Sequence, residues 1–189
     1  MKRMNHKPTG PIHPLQGALL LAAPVLRDPH FARSVLYLAS HSKKEGAFGY
    51  ILNRPLDKVV GDLLTGQSLG KLADVPVFLG GPVSTDKLSF ASLEWNENRH
   101  SMNCKTHLSM EDAQFEVELG NDVRGFVGYA GWSSGQLERE LKGRSWIVAA
   151  PEKIIIDAPE PALLWSNLLM EMGPRFQLLA GTPENPEFN

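Results

Sequence analysis

One short stretch constrains the fold more than any other: residues 128–138 read GYAGWSSGQLE. The apolar run at residues 123–129 predicts a strand, and two glycines just beyond it give the backbone freedom to turn a corner. Ser133 followed three residues later by Gln136 fits a capping box, which predicts a helix beginning at about Ser133. The residues from Gln136 to Lys142 are predicted to be helical, and Gly143 to end that helix. The segment therefore predicts a strand, a glycine-rich turn and a helix start in succession, and residues 131–138 are called the corner below.

Apolar runs separated by turn residues predict further strands, without any repeat period. These runs are Leu19 to Ala23, Val35 to Ser40, Phe48 to Leu52, Val75 to Leu79 and Trp146 to Ala150. Asp57 fits the N-cap of a short helix, Ser109 with Asp112 caps another, and the polar segment 86–106 predicts a hairpin or a long loop. Because these strands do not alternate regularly with long crossover helices, we predict an α+β fold with a mixed, largely antiparallel sheet.

Length and composition set the number of domains. With 189 residues, of which 42% are hydrophobic, the chain suffices for one sizeable core and is short for two. We expect a single domain over residues 15–179, between an N-terminal tail at 1–14 and a C-terminal tail at 180–189.

Charge argues against nucleic acid as a partner. The formal net charge is −2, and the longest basic cluster of the expected domain, Lys43-Lys44, is followed at once by Glu45. The sequence shows no helix-turn-helix pattern with a basic recognition face. We therefore expect no specific binding to DNA.

The N-terminal region loosely imitates a signal peptide, since Lys2 and Arg3 precede the apolar stretch Leu15 to Leu26. Prolines interrupt the approach to this stretch, and it is far shorter than the roughly 20 residues needed to span a bilayer. A single cysteine, Cys104, excludes an intramolecular disulfide and fits a reducing compartment. We expect a cytoplasmic protein with no membrane partner.

The corner also matches the Gly-x-Ser-x-Gly nucleophile elbow of hydrolases, with Ser133 in the place of the nucleophile. In those enzymes the catalytic histidine follows the serine, whereas the last histidine of this chain is His107. A base would have to come from upstream, from His41 or His107, which geometry allows although chain order is unusual. We therefore favour capping over catalysis for Ser133.

Neither a metal site nor a cofactor site is predicted. The histidines, at positions 30, 41, 100 and 107 of the expected domain, form no pair with ligand spacing. The turn Gly80-Gly81-Pro82-Val83 lacks both the dinucleotide glycine spacing and a Walker lysine. We expect no metal and no cofactor.

Four segments together point to a family: the corner, residues 28–35 with the sequence DPHFARSV, Asn53-Arg54-Pro55 and the turn at 80–83. In these motifs the chain resembles the YqgE/AlgH family of bacterial proteins over residues 15–173. The resemblance implies a mixed sheet bent into a partly closed barrel and flanked by helices. Family members are labelled transcriptional regulators of polysaccharide production, and relatives commonly carry glycine where this chain has Ser133, which disfavours a nucleophile there.

Several side chains in these motifs are large or polar where the backbone alone does not require them. We expect them to converge at one end of the sheet as a shallow ligand- or partner-binding site made of Asp28, Arg33, Asn53, Arg54, Trp132, Gln136 and Glu138. In that site Arg33 or Arg54 would hold a carboxylate, and Trp132 would form an apolar wall.

Two functions stay open. The preferred one is a non-enzymatic binding or regulatory module that affects transcription, if at all, indirectly through a protein or small-ligand partner. The alternative is a small, hydrolase-like enzyme that uses Asp28, Arg33, His41 or Glu138.

Overall fold

The computed structural model describes residues 15–158 and 160–180, and these form nine strands and six α-helices. The strands are β1 (Leu19–Ala22), β2 (Val35–Ser42), β3 (Gly46–Ile51), β4 (Pro55–Val59), β5 (Pro76–Leu79), β6 (Val83–Asn96), β7 (Ser101–Leu108), β8 (Asp122–Trp132) and β9 (Trp146–Ala149). The α-helices are α1 (Val60–Leu63), α2 (Met110–Glu118), α3 (Gln136–Lys142), α4 (Ile154–Asp157), α5 (Leu164–Glu171) and α6 (Pro174–Ala180). Short 3-10 helices cover Gly70–Asp74 and Pro161–Leu163.

The strands form one sheet in the order β4-β5-β8-β3-β2-β1-β9, and the β6–β7 hairpin joins it through β8. Among the described strands, every pairing is antiparallel except that of β5 with β8. The first part of β8 pairs with β5 and β6, and its last residues, Ala130 to Trp132, pair with β3. One long strand therefore joins the two halves of the sheet.

Gly128 lies where β8 passes from one set of partners to the other. Its φ of +70° is a left-handed value that glycine adopts without strain. A Cβ atom at Gly128 would collide with the carbonyl oxygen of Gly81, so two backbones meet here with no room for a side chain. The sheet curls into a half-barrel within a single α+β domain, which confirms the predicted fold class.

The predicted strands are all present, and segment 86–106 belongs to the β6–β7 hairpin. The helix predicted to start at Asp57 is wrong in its start, because Asp57 lies inside β4 with φ +51°. That helix, α1, begins at Val60, and the carboxylate of Asp62 accepts a hydrogen bond from the backbone N–H of Val59 at 3.0 Å. The cap is therefore provided by the carboxylate of Asp62, the third residue of the helix, and not by that of Asp57.

The helix predicted over Gln136 to Lys142 is confirmed as α3, whereas the predicted cap at Ser133 is wrong. The helix begins at Gln136, since Gly135 directly before it has a left-handed φ of +68°. Ser133 instead belongs to a turn, in which its carbonyl accepts a hydrogen bond from the N–H of Gln136 at 2.9 Å. The capping Ser109 of α2 is confirmed, because its side chain accepts from the N–H of Asp112.

The corner is positioned by one of the three apolar clusters of the core. This cluster packs Leu137 of α3 and Trp132 of β8 against Trp146 of β9 and against the buried residues of β1, β2 and β3. Burying each large apolar side chain contributes about 1.5–3 kcal/mol, so the cluster fixes α3 on the sheet. The opposite face of β1 and β9 packs against α5 through a second cluster that includes Trp165.

The crossing of β8 with the turn at Gly81 predicts a large cost for any side chain at Gly128. We expect Gly128→Ala to lower the free energy of unfolding by at least about 3 kcal/mol, because a backbone must shift to admit the methyl group. Gly66→Ala is the matched control, since Gly66 has φ +80° and open space around it. It should cost only about 1 kcal/mol, from the left-handed backbone alone. Urea unfolding measures both, and equal losses for the two variants would contradict the close crossing.

Candidate functional site

Asn53 and Arg54 hold the loop between β1 and β2 through its backbone. The buried Asn53 amide accepts a hydrogen bond from the N–H of Val35 at 2.8 Å and donates to the carbonyl of Arg33 at 2.9 Å. The Arg54 guanidinium donates to the carbonyls of Ala32 at 3.0 Å and Pro29 at 3.4 Å. Burial lowers the pKa of Arg54, and the charge of Asp28 opposes that shift. Both side chains therefore serve the loop's conformation.

Asp28 and Arg33, the two predicted residues that lie in this loop, have different surroundings. The Asp28 carboxylate accepts a hydrogen bond from the N–H of His30 at 2.8 Å, which forms an exposed Asx turn. Arg33 has a left-handed φ of +56°, and its guanidinium carbon lies 5.3 Å from the ring centroid of Trp165. This cation–π contact ties the loop to α5.

Next to the corner, the carboxylate of Glu140 accepts hydrogen bonds from three side-chain donors. Oε2 of Glu140 accepts from the indole N–H groups of Trp132 at 2.8 Å and Trp146 at 2.7 Å. Oε1 of Glu140 accepts from the side-chain amide of Gln136 at 2.9 Å. The amide oxygen of Gln136 in turn accepts from the backbone N–H and the hydroxyl of Ser133. Trp132 and Gln136 are thus both bonded to Glu140, one turn further along α3.

The corner also contacts the turn between β2 and β3. Nε2 of His41 lies 3.0 Å from Oε1 of Glu138, and the hydroxyl of Ser134 donates to the carbonyl of Lys43 at 2.9 Å. Gly46 fits tightly here, because a Cβ atom on it would meet the carbonyl oxygen of Trp132. Hairpin and corner are therefore packed backbone to backbone, with the His41–Glu138 pair at their junction.

The seven predicted residues fall into two groups instead of one shared site. Asn53 follows one end of β3, and the residues at that end pair with Leu36 of β2. Trp132 lies at the other end of β3, opposite Ala47, and Ala47 pairs with His41 of β2. Leu36 and His41 are roughly 16 Å apart along β2. A row of rings connects the groups: Phe31 to Trp146 at 5.6 Å and Trp146 to Trp132 at 6.0 Å between centroids. Trp132 is only 6% exposed and provides no open apolar wall.

A groove of about 340 Å³ lies beside the second group, along the β2–β3 hairpin. Its walls include Gln16, Ser40, His41, Ser42, Glu45 and Phe48. The groove is open to solvent and mostly polar, while Phe48 packs its ring at 5.0 Å from both Tyr50 and His107. Of the residues named from the sequence, His41 alone lines this groove, and Glu138 stands directly behind it.

The electrostatics of the pair follow from the hydrogen bonds of Glu138. Its own backbone N–H, His41 and the charge of Lys43 together hold the pKa of this carboxyl below its usual value, against a raising effect of burial. The carboxylate is therefore ionised at neutral pH and acts only as an acceptor. It orients the imidazole by accepting the N–H at Nε2, so that Nδ1 is left for another partner.

The described residues offer no ready alternative centre. They contain no cluster of three or more His, Cys, Asp or Glu side chains able to hold a metal ion. Burial raises the pKa of the Cys104 thiol to about 12, which keeps it protonated and unreactive. No helix in the described ranges has the length and apolar character needed to cross a membrane.

Comparison with known proteins supplies the family. A family model described as AlgH-like matches residues 19–177. The chain belongs to the AlgH-like family. It is 35% identical to a UPF0301 protein of Streptomyces avermitilis, over 93% of this chain and 95% of that one. A UPF0301 protein of Thermobifida fusca is also 35% identical, over 93% and 96% of the two chains.

Two solved structures share the fold of this AlgH-like chain. The solution structure of the AlgH protein from Pseudomonas aeruginosa has a TM-score of 0.64 and 28% identity, and covers 94% of this chain and 98% of its own. The crystal structure of protein DIP2367 from Corynebacterium diphtheriae has a TM-score of 0.70 and 22% identity, over 92% and 95% of the chains. The expected family membership is thereby confirmed.

Sequence reasoning missed most of the groove of this AlgH-like protein. Gln16, Ser40, Glu45 and Phe48 carry no motif and come together only through the register of the hairpin. Glu140 was missed as well, although its spacing of four residues from Gln136 on a helix was a usable signal.

The corner network predicts a specific cost for removing Glu140. We expect Glu140→Ala to lower the free energy of unfolding by about 2–4 kcal/mol, because two largely buried indole N–H groups lose their acceptor. Glu118→Ala, an exposed glutamate on α2, is the control and should change stability by less than about 0.5 kcal/mol. Urea unfolding followed by tryptophan fluorescence measures both, and a loss no larger than the control would show that the network is not stabilising.

The lowered pKa of Glu138 predicts a pH-dependent contribution to stability. A carboxyl whose pKa is lower in the folded than in the unfolded chain stabilises the fold above about pH 4.3, and this contribution is lost as pH falls through the folded-state pKa. The stability difference between the wild type and Glu138→Gln should therefore be positive at neutral pH and shrink below about pH 4. Thermal unfolding across this range tests it. A difference that grows on acidification would have the wrong sign.

Proposed function

We propose that this protein is a non-enzymatic, cytoplasmic binding module that takes a small ligand in the groove along the β2–β3 hairpin. The observation that carries the proposal is the state of His41. Its side chain is nine-tenths buried and is held by Glu138 at 3.0 Å, and His41 is one of the residues that border the groove. A buried, hydrogen-bonded imidazole at the wall of a groove of ligand size is an arrangement suited to recognition.

The hydrogen bonds of the other polar residues support a binding module over an enzyme. Asn53 and Arg54 bond to the backbone of one loop, and Gln136 bonds to Glu140 and Ser133. The hydroxyl of Ser133 donates to Gln136, so its bond does not place it on a base as a nucleophile requires. These residues fix the shape of the surface, while the groove is left for recognition.

Regulation would be exerted through a partner. We propose that ligand binding at the groove alters how the hairpin and the corner are presented to another protein, and that any effect on transcription is indirect. The net charge of −2 and the acidic residue that follows Lys43-Lys44 support a protein partner over DNA.

A small enzyme is the second candidate, and the His41–Glu138 pair is the observation that favours it. A carboxylate that orients an imidazole is a common general-base arrangement, in which His41 would take the proton and Glu138 would hold the ring. Asp28 and Arg33 lie in the other group and would not take part. The two candidates differ in whether a bound compound is also consumed.

A ligand screen tests the proposal. We expect a library of metabolites to contain compounds that raise the melting temperature, since a ligand at 100 times its Kd adds about 2.7 kcal/mol of stability. The exposed Ser40 lines the groove, so Ser40→Trp should fill it and abolish the shift. Asn98→Trp, at the exposed tip of the β6–β7 hairpin, is the control and should leave the shift intact.

The outcomes of this screen separate the candidates. A compound whose shift survives Ser40→Trp binds elsewhere, and a library in which every shift survives would refute the groove as the site. Mass spectrometry of each bound compound after incubation detects turnover. If the wild type consumes a bound compound and Glu138→Gln does not, the enzyme candidate is right and the binding module is wrong.

A further inference from the structure

We infer that one face of the sheet carries a stacking site for a planar heteroaromatic ring, such as the base of a nucleoside. This site goes beyond the proposed function, because it needs neither His41 nor Glu138. At its centre the rings of Phe48 and His107 are stacked, with 5.0 Å between centroids and 27° between ring planes. These two rings and the neighbouring ring of Tyr129, whose centroid lies 5.2 Å from that of Phe48, are called the platform below.

The register of the sheet places the platform on the face opposite to the His41 side chain. Phe48 of β3 pairs with Ser40 of β2 and with Gly131 of β8, and residues paired in this way share one face. Tyr129 lies two residues before Gly131 and is therefore on that face as well. His41 follows Ser40 directly, so its side chain points the other way. The platform and the imidazole of His41 are thus separated by the sheet.

The backbone of His107 carries the strain that points to a ligand. Residues 105–108 of β7 pair with residues 90–92 of β6, so β7 contains one extra residue and forms a β-bulge. Within this bulge His107 has φ +55°, a left-handed value at which glycine is the usual residue. Strain of this kind is found mainly at sites where the structure uses it for binding or catalysis.

The imidazole of His107 serves stacking. Within the described ranges it forms no hydrogen bond, and its ring contact there is the stack on Phe48. Phe48 is itself held by Tyr50, in an edge contact at 5.0 Å, and by Tyr129. One side of the imidazole is therefore backed by a fixed ring, while His107 as a whole is exposed. Its outer side is left for a third ring in the same stack.

The rest of this face favours a heteroaromatic ring over a purely hydrocarbon one. Ser40 and Tyr129 both carry a hydroxyl on this face, and the described structure gives neither hydroxyl a hydrogen-bond partner. A hydroxyl can donate and accept, which matches the ring nitrogens and amino groups of a nucleobase. Gly131 is exposed, and a Cβ atom on it would lie 3.2 Å from the ring of Tyr129, so the glycine keeps this ring accessible.

Adenosine and ribose, which differ by the base, test the site at neutral pH. We expect adenosine to bind saturably with a Kd of about 1 mM and to move the imidazole C–H proton signals of His107 upfield, because a stacked base shields them. Ribose should cause no such shift. The His107→Phe variant assigns the signals, since it removes them from the spectrum. No saturation by adenosine, saturation without the upfield shift, or equal binding of ribose would overturn the inference.

Variants of two histidines in the same hairpin test the role of the ring. His107→Ala should weaken adenosine binding at least about fivefold, because it removes the stacking surface. His107→Phe should keep the affinity within about twofold, since the phenyl ring restores that surface. His100→Ala is the matched control, because His100 is also exposed and left-handed, with φ +46° at the tip of the hairpin between β6 and β7. It should leave the affinity within about twofold.

The outcomes for the platform and for the groove are distinguishable. If His107→Ala folds and binds adenosine as well as the wild type does, the platform is not the site. If it does not fold, the upfield shift of His107 in the wild type decides. Loss of adenosine binding in Glu138→Gln but not in His107→Ala would place the base on the His41 face and overturn the inference. A screen compound that loses its thermal shift in Ser40→Trp and keeps it in His107→Ala supports the groove alone.

Discussion

The rest of the structure depends on the pairing of β8 with two different sets of strands. Its backbone groups pair with β5 and β6 in the first part and with β3 in the last part, so both halves of the sheet take their register from one strand. A shift of one residue would turn every side chain of β8 to the opposite face. Gly128 and Gly81 allow the necessary approach of two backbones, and any other residue at Gly128 would separate them.

The corner follows from the end of β8. Because Trp132 is held opposite Ala47, the chain must turn beside the β2–β3 hairpin, and α3 starts where Glu138 reaches His41. Glu140 then stabilises the turn by accepting from two indoles and one amide. The polar residues divide into those bonded to one another, including His41 and Glu138, and those that border the groove, such as Ser40 and Glu45.

Patterns among neighbouring residues predicted the strands and most helices, whereas contacts between residues far apart in the sequence could not be predicted. Alternation of apolar runs with turn residues identified the strands, and Ser109 identified the start of α2, because both depend on neighbours in the chain. The helix starts at Asp57 and Ser133 were misjudged because left-handed backbone at Asp57 and Gly135 carries no unique sequence signature. His41 and Glu138 were named as candidates one by one, but the contact between them joins residues 97 positions apart in the sequence and has no local signal.

The same span of sequence gives the His41–Glu138 contact a consequence for synthesis of the protein. The two residues are 97 positions apart, so β2 leaves the ribosome long before the helix that orients its histidine. Domains emerge N-terminus first, and a chain ending before α3 would carry the hairpin and most of the groove's residues without the carboxylate behind them. An imidazole oriented by Glu138 therefore exists only after translation has passed α3, when more than two thirds of the strands and helices have already left the ribosome.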